Sequence, residues 1–202
     1  MNTKTQHIHV RHRNDILWLI LDRPPLNILT IEMLDQLTAA MHDAIKQTPR
    51  LVVLTGAGER AFCAGVDIHD HLDGREVEML RAVRDNCAAF EELRTHNIPS
   101  VALVKGYALG GGCELAALCD TIVAHEHASF GLPEVNLGVV PPVAAVYFPA
   151  LIGYNTTLRL MLTGETIKAA EALRLGLVHQ VLPSRRFLPD AEELLVVLAA
   201  QT

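Results

Sequence analysis

No CxxC pair occurs among the four cysteines, Cys63, Cys87, Cys113 and Cys119. Each stands in apolar surroundings, so reduced, packed thiols are expected rather than disulfides or zinc ligands. Long apolar runs are also missing. The richest window, residues 139–152, is broken by Pro141, Pro142 and Pro149 and falls short of the roughly 20 residues that cross a bilayer. The positive mean hydropathy is therefore read as a packed core in a soluble protein. The opening MNTKTQHIHVRHRND has no apolar segment that could serve as a secretory signal, and cytoplasmic residence is the expectation. Positive charge is not in excess: the formal net charge is −6, which gives no electrostatic reason to expect nucleic acid and leaves an anionic ligand needing local help. Neither GxGxxG nor GxxxxGK[ST] is present, so dinucleotide and nucleotide-phosphate chemistry lose their usual support.

What is present fits one globular domain with a substantial core, since 202 residues are half hydrophobic and one fifth charged. Residues 16–21 (ILWLIL) form a short apolar run ahead of the turn DRPPLN and read as a strand. Thr30 is placed to cap a helix in which Met33, Leu34, Leu37, Met41, Ala44 and Ile45 recur at helical spacing until Pro49. LVVLT, SVALV and TIVAH read as further strands, and ELAALCD after the second of them reads as a helix. Val77, Leu80, Val83, Cys87, Phe90 and Leu93 mark another amphipathic helix. The rest is mostly helical, around residues 143–152, 156–162, 167–175 and 191–200, with a strand-like LVHQVL before the last helix. The alternation predicts an α/β or mixed α+β domain whose sheet faces are largely covered. His7, His9 and His12, and the clusters at 69–71 and 125–127, are expected on exposed edges and loops, not around a metal.

The stretch GYALGGGCEL, residues 106–115, sets Glu114 behind three consecutive glycines. Glycines after a strand let the backbone turn sharply and approach a ligand, and the first helical turn offers N–H groups without intrahelical partners. An oxygen that gains negative charge during a reaction would be stabilised there, with Glu114 close by. The segment by itself leaves a plainer reading open, because a first-turn acid gains roughly 0.3–1 kcal/mol from the helix dipole without any catalysis. Ser100, Ser129 and Ser184 all lie outside a glycine-flanked nucleophile turn, so a serine hydrolase is disfavoured.

Three segments in order, AFCAGVDI (61–68), KGYALGGGCELAALCD (105–120) and FGLPEVNLGVVP (130–141), resemble the enoyl-CoA hydratase/isomerase, or crotonase, family. Weaker likeness runs from RPPLN (23–27) to LTGETIKAAEALRLGLVHQVLP (162–183). The resemblance implies a spiral of ββα units, assembled as a trimer or a pair of trimers, that takes an acyl-CoA substrate. It needs no cofactor, since coenzyme A is part of the substrate. By position it implies an oxyanion hole from the peptide N–H groups of Val66 and Gly111, and two catalytic carboxyls, Glu114 as base and Glu134 as acid. CoA contacts are implied at Pro25, Leu26, Ala64, Val66, Asp67, Ile68, His69 and Gly111, with Arg23 and Lys105 as candidate phosphate partners. Two carboxyls with separated proton affinities suit water addition, in which one accepts a proton and the other supplies one. Other enolate-forming activities, such as isomerisation or ring hydrolysis, and a noncatalytic assembly role stay open.

Two departures bear on substrate and extent. PPVAAVYFP at 141–149 stands where many family hydratases are glycine-rich, and with RPPLNILTIEML it looks similar to cyclohexa-1,5-diene-1-carbonyl-CoA hydratases of aromatic-compound degradation. Val143, Ala144, Val146 and Phe148 would otherwise simply pack a helix started by prolines. The expected division is a spiral core over 1–185 and a short C-terminal helical region beginning at 186–202, shorter than family members carry.

Overall fold

A computed structural model describes residues 5–67, 69–70 and 74–201. Two sheets form its framework. The larger has the order β1 (Ile8–Arg13), β2 (Ile16–Leu21), β3 (Leu51–Gly56), β5 (Ser100–Val104), β7 (Thr121–His125), β10 (Gln180–Leu182). The smaller joins β4 (Ala61–Cys63), β6 (Tyr107–Leu109), β8 (Ser129–Gly131) and β9 (Thr166–Lys168). Successive chain segments give one strand to each sheet and then a helix: β3, β4 and α2 (Glu76–Thr95), then β5, β6 and α3 (Gly111–Leu118). β7 and β8 repeat the step and end in a 3-10 turn, Pro133–Leu137. This is the spiral of ββα units that the motifs implied.

The strands of the large sheet after β1 run parallel, and β2, β3, β5 and β7 are largely buried on both faces. Leu17, Leu19, Leu21, Val52, Leu54, Ala102 and Val104 point into the main core, and the alternate residues Ile16, Leu51, Val53, Val101 and Leu103 face the other way. That second face is closed by α7 (Phe187–Ala199) through Phe187, Ala191, Leu195 and Ala199. Burial on both sides is why these strands appear in the sequence as unbroken apolar runs.

Helix α1 (Ile31–Gln47) begins as its sequence predicts: Thr30 Oγ1 accepts the Met33 N–H at 3.2 Å. It ends at Thr48 in the left-handed region, one residue before Pro49. The C-terminal half adds α4 (Pro142–Ile152), α5 (Tyr154–Thr163) and α6 (Ala169–Leu175).

Several elements differ from the sequence expectation. β1 joins β2 through Asn14 and Asp15, both at positive φ as a tight two-residue hairpin requires, and it carries His9 and His12 along the sheet edge. In α2 the buried residues are Met79, Ala82, Asn86, Ala89, Phe90 and Leu93, whereas Val77 is 79% exposed and Leu80 56%. LVHQVL is strand only over its last three residues, and the start of the 167–175 helix is the edge strand β9. Val146 is 71% exposed, so it does not pack with Val143, Ala144 and Phe148. The 185/186 division falls inside a short 3-10 turn, Ser184–Arg186, directly ahead of α7.

Candidate active site

Two loops leave adjacent parallel strands, β4 and β6, and together build the site. The first, residues 64–67, is clamped to the segment before α1. Leu29 N–H donates to Gly65 O at 2.9 Å, Asp67 N–H to Leu29 O at 2.8 Å, and Ala64 N–H to Leu26 O at 3.0 Å. Because the neighbours of Val66 bond to Leu29, the Val66 N–H points to the opposite side. It donates to no group among the described residues. Asn27 fixes the strand that feeds this loop: buried, its Nδ2 donates to the carbonyls of Ala57, Ala61 and Phe62 at 3.0, 2.9 and 3.2 Å.

The second loop is the glycine cluster. Gly110 has φ +53, which favours glycine, and a side-chain carbon there would lie 2.6 Å from Glu134 Oε1. At Gly111 such a carbon would lie 2.6 Å from Val66 Cγ2 and 3.8 Å from Val66 N. The glycines thus bring the first turn of α3 against both the Val66 peptide and the Glu134 carboxyl. Gly111, the first residue of α3, has an N–H without an intrahelical acceptor.

Glu114 is 7% exposed. Its Oε1 accepts the Ala144 N–H in the first turn of α4 at 2.8 Å. Burial pushes its proton affinity up, the Ala144 N–H opposes this, and the Glu134 charge adds to the rise, giving a pKa of about 7. Burial also raises the pKa of Glu134, whose Oε2 is buried without a hydrogen-bond partner among the described residues. A cavity of about 610 Å³ is lined by Val66, Gly111, Glu114 and Glu134 together. Two outward peptide donors and two acids of raised pKa can therefore act on one bound molecule. Such donors stabilise developing oxyanions, and a carboxyl with a pKa of about 7, as at Glu114, exchanges protons near neutral pH.

Ala64, Asp67 and His69 also line this cavity, as do Arg23 and Ile28. Pro25 is exposed and Leu26 half-buried in the turn behind the loop, outside that lining. Ile68 lies outside the described residues. Arg23 spends its charge on Asp67, Nη2 to Oδ2 at 3.0 Å, and its Nη1 donates to Ile28 O. Lys105 pairs with Glu59 at 2.8 Å, away from the cavity. Sequence reasoning missed the apolar wall: Met79, Leu80 and Val83 from α2, with Leu137, Val139 and Val140 from the end of the 3-10 turn and the segment after it. Asn27, the last residue of RPPLN, is an internal clamp.

The enoyl-CoA hydratase/isomerase family profile matches residues 11–202. Over 192 residues the chain is 34% identical to the carnitinyl-CoA dehydratase of Proteus mirabilis (strain HI4320), covering 94% of this chain and 73% of that protein. Over 177 residues it is 36% identical to the short-chain-enoyl-CoA hydratase of Clostridium acetobutylicum, covering 86% and 68%. The crystal structure of an enoyl-CoA hydratase from Bacillus anthracis superposes with a TM-score of 0.87 at 33% identity, covering 98% of this chain and 78% of that one. With its fold, its paired loops and these likenesses, the chain belongs to the enoyl-CoA hydratase/isomerase family.

Proposed function

We propose that the protein is an acyl-CoA hydro-lyase that adds water to a carbon–carbon double bond conjugated with a thioester carbonyl. The observation that carries this reading is the convergence of Val66, Gly111, Glu114 and Glu134 on one cavity. The thioester oxygen lies between the Val66 and Gly111 N–H groups. Glu114, as base, takes a proton from water while the water oxygen bonds to the β-carbon. The double-bond electrons move to the thioester oxygen, giving an enolate. As the carbonyl re-forms, the α-carbon takes a proton from Glu134. Each peptide donor contributes roughly 2.7–4 kcal/mol of transition-state stabilisation. A pKa of about 7 at Glu114 suits a base that works near neutral pH.

The coenzyme portion enters past Ala64, Asp67 and His69. An alicyclic dienoyl acyl group is the narrower form of this proposal, supported by the PPVAAVYFP segment, whose Ala144 amide reaches Glu114. Assembly as a trimer or a pair of trimers belongs to the same reading. Exposed Leu137, Val140, Val146, Tyr154 and Leu162 supply apolar surface for a second copy.

Incubation with linear and alicyclic conjugated enoyl-CoAs tests the reading. The expected result is loss of conjugated absorbance with a product heavier by one water, and suppression of both in E114Q and E134Q. Unchanged turnover in both variants defeats it. A product of unchanged mass indicates isomerisation, and a new carboxylate indicates ring hydrolysis.

A further inference from the structure

We propose that Asn86 selects the acyl group: its side-chain oxygen accepts a hydrogen bond from a hydroxyl at the far end of the acyl chain. The class of ligand rests on the hydratase reading above. The position of the hydroxyl rests on α2.

Asn86 is 2% exposed. Its Nδ2 donates to Leu34 O at 2.8 Å, Thr38 Oγ1 at 2.7 Å and Ala82 O at 3.3 Å. Two of these acceptors are carbonyl oxygens, so the amide has one satisfactory orientation. Oδ1 is then left buried without a partner among the described residues, a state that is costly unless something donates to it. Asn86 also lines a second recess, of about 30 Å³. Its lining is aliphatic apart from Asn86, Glu114 and Gly111, and it shares Val66, Val83, Gly111 and Glu114 with the larger cavity. The recess therefore adjoins the oxyanion donors and the reacting carbons.

Size and polarity define the guest. One water needs about 10–15 Å³ on this measure, so the recess takes roughly two water-sized groups, such as a terminal CH₂–OH. The body of the acyl group stays in the larger cavity. An amide oxygen needs a donor, which rules out a carboxylate, and Glu114 would repel one. A buried ammonium without a counter-charge is far costlier than a hydroxyl.

The test compares kcat/KM for 4-hydroxybut-2-enoyl-CoA against but-2-enoyl-CoA, and for 5-hydroxypent-2-enoyl-CoA against pent-2-enoyl-CoA, in wild type and Asn86→Leu. Wild type is expected to favour the hydroxylated member of at least one pair by about 10-fold or more, and Asn86→Leu to abolish or invert that ratio. A purely structural role for Asn86 would shift both members of a pair together, leaving the ratio intact, and would overturn the proposal. A wild type indifferent to the hydroxyl in both pairs overturns it without any variant. If no enoyl-CoA is hydrated, the hydratase reading fails separately. Calorimetric binding of 4-hydroxybutanoyl-CoA and 5-hydroxypentanoyl-CoA against butanoyl-CoA and pentanoyl-CoA then decides the Asn86 proposal by the same ratio.

Discussion

The Ala144 N–H donates to Glu114 Oε1 across 2.8 Å, so the acid in the first turn of one helix is held by the first turn of another. Glu114 follows the glycines on α3, and Ala144 follows Pro141 and Pro142 on α4. The N-terminal end of α4 partly offsets the burial of this carboxyl, yet burial dominates and sets its pKa near 7.

Stability should therefore depend on pH through Glu114. Between its ordinary value of 4.5 and about 7, the folded protein keeps a proton that the unfolded chain has released. Stability falls as pH rises through that window, by about 3 kcal/mol in all. Glu114→Gln keeps the acceptor for Ala144 and cannot ionise. Denaturant unfolding at pH 4.5 and 7.5 should show the variant gaining about 3 kcal/mol on wild type, and a constant difference would refute the assignment.

The Gly111 contact predicts a rescue. Gly111→Ala puts a methyl onto Val66 Cγ2 and should lower kcat about 100-fold by spreading the two peptide donors. Val66→Ala removes the obstructing atom while the remaining neighbours stay at 3.8 Å. The double variant should recover at least 10-fold of the lost kcat, and no recovery would place the defect elsewhere.

Asn27→Ala leaves three carbonyls without their donor. The expected loss is about 2–3 kcal/mol of unfolding free energy, with kcat reduced because the strand ahead of Val66 loosens. A loss under about 0.5 kcal/mol would remove Asn27 as the clamp.

Two apolar positions in α2 should separate cleanly. Leu80, exposed and lining the cavity, should tolerate Leu80→Ala within about 0.5 kcal/mol of stability while KM for an acyl-CoA rises severalfold. Phe90, fully packed, should lose about 3–5 kcal/mol as Phe90→Ala. Equal destabilisation at both would mean that Leu80 belongs to the core.

That contrast explains much of what the sequence conceals. The inner strands β2, β3, β5 and β7 are apolar because both faces are largely covered, and α1 displays its cap and period openly. In α2, however, Leu80 and Val83 are apolar because a cavity lies in front of them, and pattern alone cannot separate a wall from a core. The edge strand β1 was hidden because only Ile8 is buried along it. The second sheet was hidden because its strands are three residues long, too short to show alternation. Asn86 was hidden for another reason: two of its three partners are 52 and 48 residues away in α1.

β4 and β6 are neighbours in one sheet, and the Val66 and Gly111 amides follow the ends of those two strands. Their approach is set by the pairing of the strands that carry them and by the lack of a side chain at Gly111, where a side-chain carbon would lie 3.8 Å from Val66 N. Losing either acid leaves the pairing of β4 and β6 intact. On the hydratase reading proposed above, the two donors are thus carried by the backbone, while the chemistry that follows is left to whichever side chains surround them.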